Sequence, residues 1–259
     1  MRIQIKIILT ISTISVLSSC NNAVPNFDKG NAFRYLVEQC EFGPRNPDSN
    51  GYKQCLDYLQ KTLSGFADTI LLQPFVLDDL VNEKSYDLTN IIARFKVDEP
   101  EQILIGAHWD TRPWADEDPE PEKRNDPIVG ANDGASGVGV LLEIARVLSL
   151  DSLQIGVDFI FFDVEDYGAP SYNSSFFDLN SMNDTWCLGA QYWCYNLPED
   201  YQKPKFGILL DMVGAKNAVF PKEEISRQYA GYYLNKIWKV GSYLGYGNYF
   251  KKKIAPPLT

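Results

Sequence analysis

Three apolar runs constrain this chain more than anything else in it. ILIGAH (Ile103–His108), FIFF (Phe159–Phe162) and FGILL (Phe206–Leu210) are continuous enough to be strands buried on both faces. Each turns polar at its C-terminal end. ILIGAH closes on His108 with Asp110 just beyond, FIFF on Asp163, Glu165 and Asp166, and FGILL on Asp211. The runs alternate with helical patterns, of which the clearest starts near Asp133 and places Val138, Leu141, Leu142, Ala145 and Leu148 on one face. Strands alternating with helices predict an α/β domain with a largely parallel central sheet. Ligands of such sheets sit beyond the carboxyl ends of the strands. The fold therefore gathers these acids and the imidazole at one rim. Carboxylates resist burial without a cation or hydrogen-bond donors, so the cluster predicts a divalent metal, with zinc favoured by the mixed nitrogen and oxygen donors.

Elsewhere, helices are expected over Asn31–Cys40, Gly51–Leu63, Gly189–Asn196 and Glu223–Gly241, and further strands over Thr69–Leu77 and Leu88–Phe95. The chain has 259 residues, enough for one large domain. A net charge of −10 excludes a basic nucleic-acid or anionic-membrane surface. Arg2 and Lys6, followed by the short apolar run Ile7–Leu17, have the layout of a signal peptide. Leu17-Ser18-Ser19-Cys20 resembles the bacterial lipobox. Residues 1–19 are therefore expected to be cleaved, and Cys20 to be lipidated. The product, 20–259, would be exported and anchored to the cell envelope, its periplasmic side being expected, with no other membrane contact. Disulfides persist after export. Cys40 and Cys55 flank the turn-rich FGPRNPDSNGYK, where a staple is a reasonable expectation. Cys187 and Cys194 would lie about 10 Å apart on one helix, too far to bridge, and could pair only if Cys187 falls in the preceding loop.

The blocks GAHWDTRPW, VGANDGASGVGVLLEIARVL, FIFFDVEDYG, WCLGAQYW and LLDMVGA resemble the zinc-dependent peptidase family M28. Within it they look most like bacterial glutaminyl-peptide cyclotransferases, which convert an N-terminal Gln to pyroglutamate with release of ammonia. The likeness runs from Phe27 to the last residue. It implies a three-layer α/β fold with a mixed, mostly parallel sheet, and a monomer acting on peptides or proteins that begin with Gln. It also implies Zn2+ held by Asp133, Asp166 and a late His, with Glu165 as catalytic acid/base and Asp211 as a further active-site acid. Trp186 is the best candidate to wall the substrate pocket, with Trp114 and Trp193 beside it. The late His has no counterpart, since His108 is the only histidine among these residues. By the resemblance, a C-terminal strand, a helix and one zinc ligand are missing. His108 is then a possible ligand, because in the two-metal aminopeptidases of the family its counterpart joins those of Asp133 and Asp211 around one ion. An M28-type zinc aminopeptidase is the first alternative, and an inactive, truncated lipoprotein the second.

Overall fold

The computed structural model describes residues 26–79, 83–150, 154–168, 170, 185–199 and 201–256. The signal segment and Cys20 lie outside the described residues. Two helices, α1 (Lys29–Glu41) and α2 (Asn50–Leu63), lead into a hairpin of β1 (Thr69–Asp79) and β2 (Lys84–Phe95). Then come β3 (Gln102–His108), α3 (Ala135–Leu148), β4 (Gly156–Phe162), α4 (Leu188–Tyr195) and β5 (Gly207–Leu209). The chain closes with β6 (Phe220–Glu223), α5 (Glu224–Gly241) and β7 (Phe250–Ala255).

The main sheet has the order β1-β2-β4-β3-β5. β2 runs against both of its neighbours, while β4, β3 and β5 pair in parallel. Four of the five strands therefore point the same way, and the predicted mixed, mostly parallel sheet is what forms. Strand alternation gives the sheet two faces. Ile91, Ala93, Phe159 and Phe161 are buried on one face, in the core that includes Val138, Leu141 and Leu142 of α3. Ile92, Ile160 and Phe162 form a smaller cluster on the other face, beneath Ala190 and Trp193 of α4. The result is three layers. A fully buried Leu contributes about 1.5–3 kcal/mol of transfer free energy, so the Leu141–Leu142 pair is a major fastener of helix to sheet.

Two sequence expectations need correction. The third apolar run forms a ladder only over Gly207–Leu209, because only β3 flanks it, and Leu209 remains exposed at the sheet edge. Beyond the main sheet, β7 pairs in parallel with β6 in a second, two-stranded sheet. That pair is closed by Trp238, whose indole Nε1 donates to Phe220 and Lys251 carbonyls, both at 3.0 Å. The expected disulfides are absent among the described residues, where Cys40, Cys55, Cys187 and Cys194 are free thiols. Burial pushes the Cys55 thiol up to about 12 and raises that of Cys40, so both stay protonated and unreactive. No described helix is long and apolar enough to cross a membrane.

Candidate metal centre

His108 ends β3 and is 2% exposed, with Trp109 buried behind it. Its Nε2 stands 3.0 Å from Asp133 Oδ1 and 3.5 Å from Asp211 Oδ1. It forms no well-aligned hydrogen bond with either. The three donors lie within 4.8 Å of one another, a spacing that one cation can span. Asp133 precedes α3 on a turn that only glycine allows: Gly134 has φ +86°, and a Cβ there would stand 2.7 Å from the Asp110 carbonyl oxygen and 3.3 Å from the His108 ring. Asp133 is not a helix cap, since the N-cap of α3 is Gly134 and no side chain caps it.

The DVED segment after β4 splits its carboxylates between two sides. Asp163 turns inward, to Tyr52 and Thr89. Glu165 and Asp166 turn to the site. Glu165 Oε2 lies 4.0 Å from His108 Nδ1, and its Oε1 accepts from the Cys187 thiol at 3.3 Å. Asp166 faces Arg112, whose Nη1 is 3.6 Å from Asp166 Oδ1. Asp110 ties the parts together. Its Oδ1 accepts the Glu165 amide at 3.0 Å and lies 3.3 Å from His108 Nδ1, and its Oδ2 accepts the Asp166 amide at 3.1 Å.

Electrostatically the cluster is rich in carboxylates. Burial, followed by the nearby Asp133 and Asp110 carboxylates, pushes Asp166 up to about 8. Burial also raises Glu165, with His108 opposing the shift. Burial disfavours a charged His108, but the facing carboxylates of Asp110, Asp133 and Asp211 outweigh it and carry the imidazole well above its ordinary value. Three buried atoms at the centre have no hydrogen-bond partner: His108 Nε2, Asp166 Oδ2 and Asp211 Oδ1. Unpartnered polar atoms of an imidazole and two carboxylates, brought together at three strand ends, are an arrangement that a divalent cation satisfies. The residues present therefore fit a metal.

Of the strand-end acids expected at the rim, Asp110, Glu165, Asp166 and Asp211 are there, and Asp163 is not. Asp211, expected as an active-site acid and, in the aminopeptidase pattern, as a ligand with His108 and Asp133, lies with those two in one triad. Trp186 lies at the site's edge. Its ring is 4.7 Å from the Arg112 guanidinium, and it fits only because residue 168 is glycine, where a Cβ would overlap the indole. Trp114 is close by, packed on Tyr167 at 5.4 Å. Trp193 is not at the site. It packs edge-on against Phe162 and Tyr201 on the opposite face of the sheet.

Sequence reading missed Asp110's clamp and two arginines. Arg112 is bonded to Asp116 (Nε to Oδ1, 2.7 Å) and donates from Nη1 to the Asp166 and Gly168 carbonyls, both at 3.2 Å. Arg45 is fully buried and donates to the carbonyls of Trp109 (2.9 Å), Val129 (2.9 Å) and Gly130 (3.0 Å). It thereby pins the His108 strand end to the loop carrying Asp133. For Asp110 the signal was the His-X-Asp spacing; for Arg45 there was none.

The sequence profile of peptidase family M28 matches residues 90–252, which include every residue of this centre. The chain belongs to peptidase family M28. Among solved structures it is similar to the glutaminyl cyclase of Tannerella forsythia, with 40% identity and a TM-score of 0.85 over 91% of this chain and 79% of that one. The glutaminyl cyclase of Bacteroides thetaiotaomicron, bound to N-acetylhistamine, gives 40% identity and a TM-score of 0.84 over 91% and 79%. A Zn-dependent exopeptidase from Parabacteroides distasonis gives 41% identity and 0.86 over 92% and 79%. A curated relative, the alkaline phosphatase isozyme conversion protein of Escherichia coli, is 33% identical over 98 residues, which is 38% of this chain and 28% of that protein. The match thus spans less than a third of that relative.

Proposed function

We propose that this M28 protein is a zinc-dependent glutaminyl-peptide cyclotransferase acting on peptides and proteins with N-terminal Gln. The carrying observation is a raised carboxyl, Glu165, held beside a cluster built for a cation. Ring closure forms a bond between the α-amine nitrogen and the side-chain amide carbon, and breaks the bond from that carbon to the amide nitrogen. The amine must lose a proton and the departing nitrogen must gain one. Glu165 can do both in turn, because burial moves its proton affinity toward neutrality. Zinc, held by His108, Asp133 and Asp211 with Asp166 facing it, would polarise the amide oxygen. Trp186 and Arg112 at the edge would shield the reacting group from water. In the sequence, Cys20 and the preceding signal layout support an exported, envelope-anchored protein, which Cys20→Ala would release into the soluble fraction.

The complete His108/Asp133/Asp211 set favours one second reading, a zinc exopeptidase in which Glu165 activates water instead. A Gln-initiated peptide, incubated with zinc-loaded protein and followed by mass spectrometry, separates the two. Loss of one ammonia with the chain intact supports cyclisation. Release of free Gln and a shortened peptide overturns it in favour of the exopeptidase.

A further inference from the structure

The third carboxylate of the DVED segment takes no part in the chemistry above, yet it is the most completely engaged of the three. Asp163 is 0% exposed. Its Oδ2 accepts from the Tyr52 hydroxyl at 2.5 Å and from the Thr89 amide at 2.7 Å, and its Oδ1 accepts from the Val164 amide at 2.8 Å. Its own amide donates to Asn90 Oδ1 at 2.9 Å, and Asn90 Nδ2 in turn donates to the Gly189 carbonyl at 2.8 Å. α2, β2, β4 and α4 thus meet at this one residue.

The next residue explains why so much is spent there. Val164 has φ +43° and is 0% exposed. A β-branched side chain in the left-handed region is a genuine outlier that persists only when its surroundings impose it. The turn sends the next two amides, those of Glu165 and Asp166, onto the two oxygens of Asp110, and the same Asp110 carboxylate lies against the His108 ring. The conformation of one buried valine therefore sets the acid/base, an acid facing the cation, and the orientation of the imidazole.

We propose that Asp163 is a positioning residue that holds Val164 left-handed and thereby places Glu165, Asp166 and the Asp110–His108 pair. Donor counting makes the assignment sharp. Three groups donate to Asp163, two of them to one oxygen. An asparagine offers one acceptor oxygen, so in either amide orientation its NH2 opposes the N–H of Thr89 or of Val164. Asp163→Asn keeps the shape and breaks the clamp.

The importance of Glu165 rests on the proposed function, but the test does not require turnover. The first readout is hydrogen exchange of the 164–166 amides in metal-free protein, followed by mass spectrometry. Asp163→Asn is expected to speed this exchange about tenfold or more while the β4 amides keep their protection. Zinc affinity of the folded protein, by competition with a chromophoric chelator, is expected to weaken about tenfold, as for outer residues that orient ligands. Val164→Gly, placed in the Asp163→Asn chain, is expected to restore slow exchange, because glycine adopts the left-handed conformation without steric cost. Tyr52→Phe is expected to leave both readouts near wild type, since it removes a tertiary contact but neither amide bond. Wild-type exchange in Asp163→Asn, no recovery with Val164→Gly, or Tyr52→Phe reproducing the defect would each overturn the proposal. Zinc binding without pyroglutamate formation in the wild type would overturn the functional reading instead, and the exchange result would stand.

Discussion

Replacing Arg45 with methionine tests whether a buried cation hydrogen-bonded to backbone carbonyls organises the metal centre. The guanidinium donates three hydrogen bonds of 2.9–3.0 Å to the carbonyls of Trp109, Val129 and Gly130. Hydrogen bonds from a charged group contribute about 1.5–3 kcal/mol each, so three amount to roughly 4–9 kcal/mol. Against this stands the cost of keeping an ion out of water, several kcal/mol per charge in real proteins. Methionine recovers that cost and fills most of the volume, but leaves the buried Trp109 carbonyl without this donor and unties the part-buried carbonyls of Val129 and Gly130. The net destabilisation should be about 3 kcal/mol, which in a chain of this size lowers the thermal midpoint by roughly 6–12 °C. The carbonyls belong to the segments carrying His108 and Asp133, so zinc affinity should fall as well. Urea denaturation of wild type and Arg45→Met, with and without zinc, measures both effects. A variant within about 1 kcal/mol of wild type and with unchanged zinc affinity would refute this account of Arg45.

Three further outcomes are expected. Glu165→Gln should lower pyroglutamate formation by about 10²–10⁴-fold, the range for a positioned acid/base, with zinc binding retained; kinetics alongside a zinc titration would check this. Chelation should abolish activity, and zinc at about 100 times its dissociation constant should restore it and add about 2.7 kcal/mol of stability, read from unfolding curves. Metal-free protein should lose stability as pH rises from about 5 to 8. The folded chain holds the Asp166 proton to about pH 8, whereas the unfolded chain releases it near pH 3.9, so the folded state binds more protons across that window. His108 adds to the slope, since the stability given by its raised pKa is lost as pH rises through the folded value. A calorimetric midpoint that climbs from pH 5 to pH 8 would contradict this sign.

Much of the centre was legible because chain chemistry repeats a simple rule three times. An apolar run that ends in an acid or imidazole declares both a buried strand and the end at which a ligand sits, and His108, Glu165, Asp166 and Asp211 were found that way. Their blocks also carried the likeness to the M28 family, which the profile match and the similar structures bear out. The same rule misjudged Asp163 by grouping it with its two neighbours. Which face a side chain takes depends on a single left-handed residue, Val164, and nothing in the letters DVED marks valine as left-handed. Trp193 was misplaced for a related reason: seven residues along from Trp186, it lies inside α4 with its ring on the far face of the sheet.

By itself the sequence determined the class of fold, the rim that carries the chemistry and the kind of ion those donors suit. Burial and periodicity are local properties, written in consecutive residues. Only the tertiary structure decided which acids can share one cation, that Asp110 clamps both the imidazole and the amides of Glu165 and Asp166, and that Arg45 joins segments 64 and 84 residues away. Those are contacts between groups distant along the chain. Their energies come from the exclusion of water after the layers close, a condition that no short stretch of sequence contains.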